Sequence, residues 1–278
     1  MKKILALTAV LVVLASSAFA WNWPWVSSSG GDKLSMSGST TVLPIAQKAA
    51  EVFMQNNPKA DISVRGGGSG VGIAAITDNA VDIATSSRAM KNAEIVKARA
   101  KGVNPVGTTI AQDGLSVVVN SANSLTALTL SQVKDIYTGK IKKWSELGGS
   151  DEVIVVISRD SASGTFEVFN ELALRGGKLT DTALMQLSNQ EIATTVGKTP
   201  GAIGYVGLAF ITNEMRVLKI DGVMPSEKTV KSGEYKLSRP LYMYTNGEPT
   251  GMAKEFIDFI LSDEGQKLVK DVGYISIK

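Results

Sequence analysis

Residues 34–53 read LSMSGSTTVLPIAQKAAEVF, a strand-like alternation that stops at Gly38, passes through Ser39-Thr40-Thr41 and resumes with apolar residues at helical spacing. Leu34 to Ser37 is strand-like. Ser39 or Thr40 can cap the helix, Pro44 falls in its first turn, and Ile45, Ala49, Val52 and Phe53 share one face. The same unit of strand, glycine-hydroxyl turn and helix recurs downstream. Asp61 to Val64 runs into Gly66-Gly67-Gly68-Ser69-Gly70 and then Val71 to Thr77. Val153 to Ile157 leads to Arg159 and Ser161-Ala162-Ser163-Gly164-Thr165, after which Phe166, Phe169, Leu172 and Leu174 keep a helical spacing.

These turns share one chemistry. Helix N-termini leave backbone N–H groups unpaired and carry partial positive charge, so an anion placed there accepts several hydrogen bonds. Glycine permits close approach of the backbone, and serine and threonine hydroxyls add donors without adding charge. Arg159 supplies a fixed cation beside the third turn. A further strand, Val81 to Ala84, ends at the polar cluster Thr85-Ser86-Ser87-Arg88, at the strand end where open parallel sheets hold ligands.

The rest of the chain keeps alternating. Leu115 to Val119, Ala202 to Val206, Arg216 to Ile220 and Leu241 to Tyr244 read as strands, and Ser131 to Tyr137 as a helix. Thr250 is placed to cap a last helix with Phe256, Ile257, Ile260 and Leu261 in one stripe. The pattern predicts an α/β protein whose sheets are mainly parallel and flanked by helices.

Lys2 and Lys3 precede an apolar stretch from Ile4 to Leu14, and Ala18-Phe19-Ala20 has the small-x-small form of a signal-peptidase site. Residues 1–20 are expected to be a signal peptide and residues 21–32, with Trp21, Trp23 and Trp25, a flexible tail. The tryptophans suit a membrane interface or a partner; a plain leader is the simpler account. Export implies a periplasmic location. The sequence has no cysteine and no histidine, which removes disulfides, thiolate chemistry and the usual general base and metal ligand, so no cofactor or metal is expected. Taking the two signal lysines from 29 basic residues leaves 27 against 26 acidic ones, far from the charge of a nucleic-acid surface. Removing 20 of 278 residues leaves 258, a comfortable size for two lobes.

Several segments appear together in a familiar order: Gly38-Ser39-Thr40-Thr41-Val42-Leu43-Pro44, Gly67-Gly68-Ser69-Gly70, Val81-Asp82-Ile83-Ala84, residues 136–144 (IYTGKIKKW), Arg159 with Ser163-Gly164-Thr165-Phe166, and residues 200–206 (PGAIGYV). From Lys33 to its end the chain resembles the periplasmic phosphate-binding proteins of high-affinity phosphate ABC importers. The resemblance implies a two-lobed type II periplasmic binding-protein fold, each lobe a mainly parallel sheet flanked by helices, joined by two hinge crossings. Residues 33–114 and 217–278 would form lobe 1 and residues 115–216 lobe 2. It implies a monomer that binds inorganic phosphate in the cleft and serves an inner-membrane ABC permease and its ATPase.

Carried over by position, the implied phosphate contacts are Thr40 and Thr41, then Ser69, then Arg159, Ser163, Gly164 and Thr165. Longer relatives place an aspartate just after the third strand, where this chain has Ser87 and then Arg88. That carboxylate accepts the proton of hydrogen phosphate and disfavours sulfate, because a buried acceptor facing an unprotonated oxyanion is both repelled and unsatisfied. Ser87 stays a candidate contact, and Asp113 is the expected replacement for the carboxylate; it could instead brace the adjoining strand.

The same residues admit other readings. A glycine-rich turn also arises from tight α/β packing alone. Residues 66–70 lack the G-x-G-x-x-G spacing, and Gly197-Lys198-Thr199 has Ile192 where a phosphate-binding loop needs glycine. Arg88 is either an anion contact or half of an ion pair, and Lys140, Lys142 and Lys143 read as a solvated face. Ser131 and Lys134 have the serine–lysine spacing of certain acyl-transfer enzymes without the partner motifs. A phosphate-ester phosphatase, or a receptor for another tetrahedral oxyanion, is the alternative function.

Overall fold

The first helix forms where its apolar side chains can be buried together. In a computed structural model, which describes residues 33–278, β1 (Lys33–Gly38) leads into α1 (Leu43–Asn56), and Ile45, Ala46, Ala49, Ala50 and Phe53 fall on its buried face. The expected signal segment and tail lie outside the described residues. The chain continues through β2 (Asp61–Arg65), α2 (Ser69–Thr77), β3 (Ile83–Ser86), α3 (Asn92–Ala100) and the long β4 (Pro105–Asn120). There follow β5 (Ala127–Leu128), α4 (Leu130–Tyr137), β6 (Val155–Arg159), α5 (Gly164–Phe169), β7 (Leu184–Gln186), α6 (Asn189–Lys198) and β8 (Ala202–Gly207). The last elements are β9 (Met215–Val217), β10 (Lys219–Ile220), α7 (Glu227–Lys231), β11 (Ser238–Asn246), α8 (Gly251–Leu261) and α9 (Asp263–Asp271).

The principal sheet has the order β2-β1-β3-β11-β4-β8-β6-β7, with β9 also paired to β4. Its two ends are parallel: β1 with β2 and β3, and β6 with β7 and β8. Every antiparallel pair involves β4 or β11. β4 explains this. Its first part, up to Gly114, pairs with β11, and from Leu115 onward it pairs with β8, so one unbroken strand passes from one lobe into the other.

Each lobe has its own apolar core. Leu34, Met36, Ile45, Phe53, Ile110 and Phe256 belong to the first, where Phe53 meets Phe256 edge-on at 5.6 Å. Val117, Tyr137, Trp144, Phe169, Tyr205 and Leu237 belong to the second. Phe169 and Tyr205 stack at 3.9 Å, directly behind the turn that follows β6. Each fully buried aromatic or aliphatic side chain contributes about 1.5–3 kcal/mol relative to exposure, and these clusters fix where the turns can sit.

Two local expectations shift. The third strand begins at Ile83, not Val81, because the Asp82 carboxylate turns back to accept the N–H and hydroxyl of Ser35 at 2.7 and 2.8 Å. Arg216 to Ile220 divides into β9 and β10, which pair with different strands. Leu218 lies between them, fully buried in the second core.

Candidate functional site

Gly38 closes β1 with φ +141°, pressed so close to β3 that a side chain there would lie 2.1 Å from the Thr85 carbonyl oxygen. The chain must therefore turn at once, and Ser39 Oγ accepts the N–H groups of Thr41 and Val42 at 3.2 and 3.3 Å. Ser39 does the local bracing, which leaves the Thr40 and Thr41 side chains free to face the other lobe. Arg159 Nη2 donates to Thr40 Oγ1 at 3.2 Å, and Thr41 Oγ1 lies 3.0 Å from Thr165 Oγ1.

The second turn meets the same surface. Ser69, the first residue of α2, is fully buried; its hydroxyl oxygen accepts the Ser87 N–H at 3.0 Å and lies 3.2 Å from Ser87 Oγ. Gly70 N–H donates across the cleft to the Ala162 carbonyl at 2.9 Å. Gly68, at φ +103°, could carry no side chain here, since its Cβ would meet that carbonyl oxygen at 2.6 Å.

The third turn is held from behind. Tyr205 Oη accepts the Arg159 N–H at 3.1 Å and sits 2.9 Å from Ser158 Oγ; burial pushes its phenol up to about 12, so it stays neutral at physiological pH. Asp160 Oδ1 accepts the Ala162 N–H at 2.7 Å and shapes the turn. Ser163 caps α5 by accepting the Phe166 N–H at 3.2 Å, an arrangement that keeps its own proton for another acceptor.

Arg159 is only 1% exposed. Its Nε and Nη2 donate to the carbonyls of Gln186 and Leu187 at 3.1 and 2.8 Å, and its Nη1 has no hydrogen-bond partner among the described residues. No carboxylate among the described residues forms an ion pair with it. Burial lowers the guanidinium from its ordinary value; Tyr205 and Asp160 oppose that shift and the neighbouring Arg239 charge adds to it. It remains charged at neutral pH. A buried cation bonded to two carbonyls and one hydroxyl, with no ion-paired carboxylate, is costly unless an anion completes it.

Two contributors lie outside the sequence reading. Arg239 donates from Nε and Nη2 to Asp113 Oδ2 at 3.2 and 2.8 Å and from Nη2 to Thr41 Oγ1 at 3.2 Å. Asn189, the first residue of α6, donates from Nδ2 to Thr41 Oγ1 at 2.9 Å while its Oδ1 accepts the Gly207 N–H at 3.3 Å. Thr40, Thr41, Ser69, Ser87, Arg159, Gly164 and Thr165 are thus gathered across the interlobe contact, with Ser163 adjoining in the same turn. Asp113 reaches them through Arg239. Its other oxygen accepts the Leu208 N–H at 3.0 Å. Arg88 faces carboxylates: it bonds Glu94 at 2.7 and 2.8 Å, and its Nε makes a 3.0 Å ion contact with Glu167 that falls short of hydrogen-bond alignment. Lys91 also pairs with Glu167.

A family profile described as "PBP superfamily domain" matches residues 26–264. The chain is similar to the phosphate-binding protein PstS of Bacillus subtilis (strain 168), with 38% identity over 246 residues covering 88% of this chain and 80% of that one. It is also similar to the phosphate-binding protein PstS of Borreliella burgdorferi, with 28% identity over 291 residues covering all of both chains. A Clostridium perfringens structure solved with bound phosphate, and described as a phosphate ABC transporter substrate-binding protein, has 36% identity and a TM-score of 0.83, covering 89% of this chain and 100% of that one. An ABC-type phosphate transport receptor from Vibrio cholerae gives 32% identity and a TM-score of 0.72, covering 87% and 99%.

Proposed function

Because this chain belongs to the PBP superfamily, and within it to the family of PstS phosphate-binding proteins, we propose that it captures inorganic phosphate between its lobes and delivers it to an ABC importer. The observation that carries this reading is Arg159, a buried guanidinium with one unpartnered nitrogen and no ion pair to a carboxylate among the described residues, which reaches from its own lobe to the Thr40 hydroxyl of the other. A tetrahedral anion supplies the missing charge and acceptors at once. Thr40, Ser69, Ser163, Gly164 and Thr165 are its proposed contacts from the three turns, together with Ser87, while Thr41 stands behind Thr165 with its hydroxyl bonded to protein groups. A ligand touching both lobes favours the closed form, since closure adds contacts that the open form lacks.

β4 and β11 are the proposed hinge crossings. Leu115 and Val117 pack in one cluster with Leu218, Val230, Tyr235 and Leu237, which favours a return to lobe 1 at β11, later in the chain than the 216/217 division expected from sequence. The proposed partners are an inner-membrane permease and its ATPase, and the proposed state is a monomer outside the inner membrane. Among the described residues no helix is long and apolar enough to cross a membrane. A binding role without turnover is supported by relatives named as binding proteins and by a sequence without histidine or cysteine nucleophiles.

Calorimetric titration with phosphate, arsenate and sulfate tests the proposal. Saturable phosphate binding that sulfate does not match is expected. Absence of phosphate binding overturns the receptor reading, and sustained turnover of an aryl phosphate would replace it with the phosphatase alternative.

A further inference from the structure

Resting on that reading of the cleft, we propose that Arg239, held by Asp113, and Asn189 are positioning residues that set the direction of a hydroxyl relay and turn Thr165 into a proton donor toward the bound anion. A threonine Oγ can accept two hydrogen bonds and donate one. Thr41 Oγ1 receives Nη2 of Arg239 at 3.2 Å and Nδ2 of Asn189 at 2.9 Å, so both acceptor positions are filled by groups that can only donate. Its remaining neighbour is Thr165 Oγ1 at 3.0 Å, and the Thr41 proton must go there. Thr165 is then an acceptor on that side, which leaves its own proton for the cleft.

The orientation of each donor is fixed by a further bond. Asn189 Oδ1 accepts the Gly207 N–H, so the amide cannot be reversed without losing that bond. Arg239 and Asp113 stand directly opposite each other in the β11–β4 ladder, and their side chains are only 2% and 0% exposed. A buried ion pair adds little net stability compared with apolar residues of the same size. Its value here lies in aiming Nη2 at Thr41 from the hinge strands. On this account the lone pairs of Asp113 serve Arg239 and Leu208, and its carboxylate acts through Arg239 rather than as the proton acceptor for the ligand.

The same polarity recurs nearby. Thr40 Oγ1 accepts from Arg159, Ser69 Oγ accepts from the Ser87 N–H, and Ser163 Oγ accepts from the Phe166 N–H. Thr40 and Ser163 are each left with a proton to give, and the hydrogen-bonded Ser69–Ser87 hydroxyl pair keeps one between them, which suits an acceptor-rich ligand.

A thermodynamic cycle on the whole mature protein tests the relay, with calorimetric phosphate titration as the readout. The charge-neutral double variant Asp113→Asn/Arg239→Met is expected to bind phosphate about tenfold more weakly, the scale of a hydrogen bond to a charged group. Thr165→Val is expected to lose at least as much. Combining all three should bind within about twofold of Thr165→Val alone, because the relay then has no end to act on. Should the double variant not fold, Asn189→Leu enters the same cycle with the ion pair intact and the same expectation. Wild-type affinity in the double variant, or losses that simply multiply in the combined variant, overturn the relay while leaving the receptor reading standing. A wild-type protein that gives no phosphate heat overturns both.

Discussion

Gly164 and Ser69 meet across the cleft so closely that a methyl group on the glycine would lie 2.3 Å from Ser69 Oγ. Ser87 Oγ would be 2.9 Å away on the same side. Gly164→Ala must therefore push the lobes apart or rotate Ser69 out of the site. Overpacking of this kind costs about 1–3 kcal/mol. Phosphate affinity should fall roughly tenfold or more, with an increased radius of gyration at saturating phosphate in small-angle scattering. Unchanged affinity would show that the lobes do not meet here when phosphate is bound.

Arg159→Ala removes the buried cation that forms no ion pair with a carboxylate among the described residues. At least a roughly tenfold loss of phosphate affinity is expected, since charge-assisted hydrogen bonds contribute about 1.5–3 kcal/mol each. The ligand-free protein should be destabilised little, because a buried unpaired charge disappears with the side chain. Calorimetry and a melting curve on the same sample check both statements.

Glu167 stands two residues beyond Thr165 and ties its lobe to Arg88 and Lys91 of the other. Its side chain is 18% exposed and Lys91 is 61% exposed, so solvent weakens the link to the order of 1 kcal/mol. Glu167→Gln should speed phosphate release about fivefold and reduce the salt dependence of that rate. Stopped-flow displacement at two ionic strengths measures it.

Burial raises the Glu94 carboxyl, but the hydrogen bond from Arg88 and that from the Lys91 N–H outweigh it, and the net position is below the ordinary glutamate value. A depressed value in the folded state means that its stabilisation is complete above the unfolded value of about 4.3. It is lost as the pH falls through the lower folded value. The melting temperature should be insensitive to this group from pH 7 to about 5 and decline below about 4.3, and Glu94→Gln should flatten that acid limb. An acid limb identical in the variant would assign the loss to other carboxylates.

Tyr205→Phe leaves the Arg159 N–H buried without its acceptor. A loss of about 1–3 kcal/mol in unfolding free energy follows, read by denaturant titration, along with weaker phosphate binding because the turn after β6 loses its rear support.

The turns were legible because each couples a local strand-to-helix transition with residues of one chemical kind. Ser69, Arg159 and Thr165 could be selected without knowing any distant contact. Arg239 could not. Its meaning comes from a register in which it faces Asp113, 126 residues earlier in the chain, and no local pattern marks it. Asn189 was hidden for a related reason: it opens an ordinary helix whose capping residue is Ser188, and only the folded chain brings it to Thr41. Arg88 was ambiguous although its bidentate partner, Glu94, lies only six residues on, because no local pattern told that pairing from an anion contact, and its second carboxylate, Glu167, belongs to the opposite lobe. The mixed strand directions likewise became visible only once β4 was seen to run through both lobes without a break.

β4 and β11 are laced together from Ser238 opposite Gly114 to Asn246 opposite Pro105. The ladder reaches the proposed crossing, and the Leu115 N–H donates to the Leu237 carbonyl at 2.7 Å beyond it, so the two crossings are expected to flex as one ribbon and opening to reduce to rotation about a single axis. A pair of dyes, one on each lobe, would then report occupancy as one monotonic signal, which makes the molecule a natural frame for an optical gauge of its ligand.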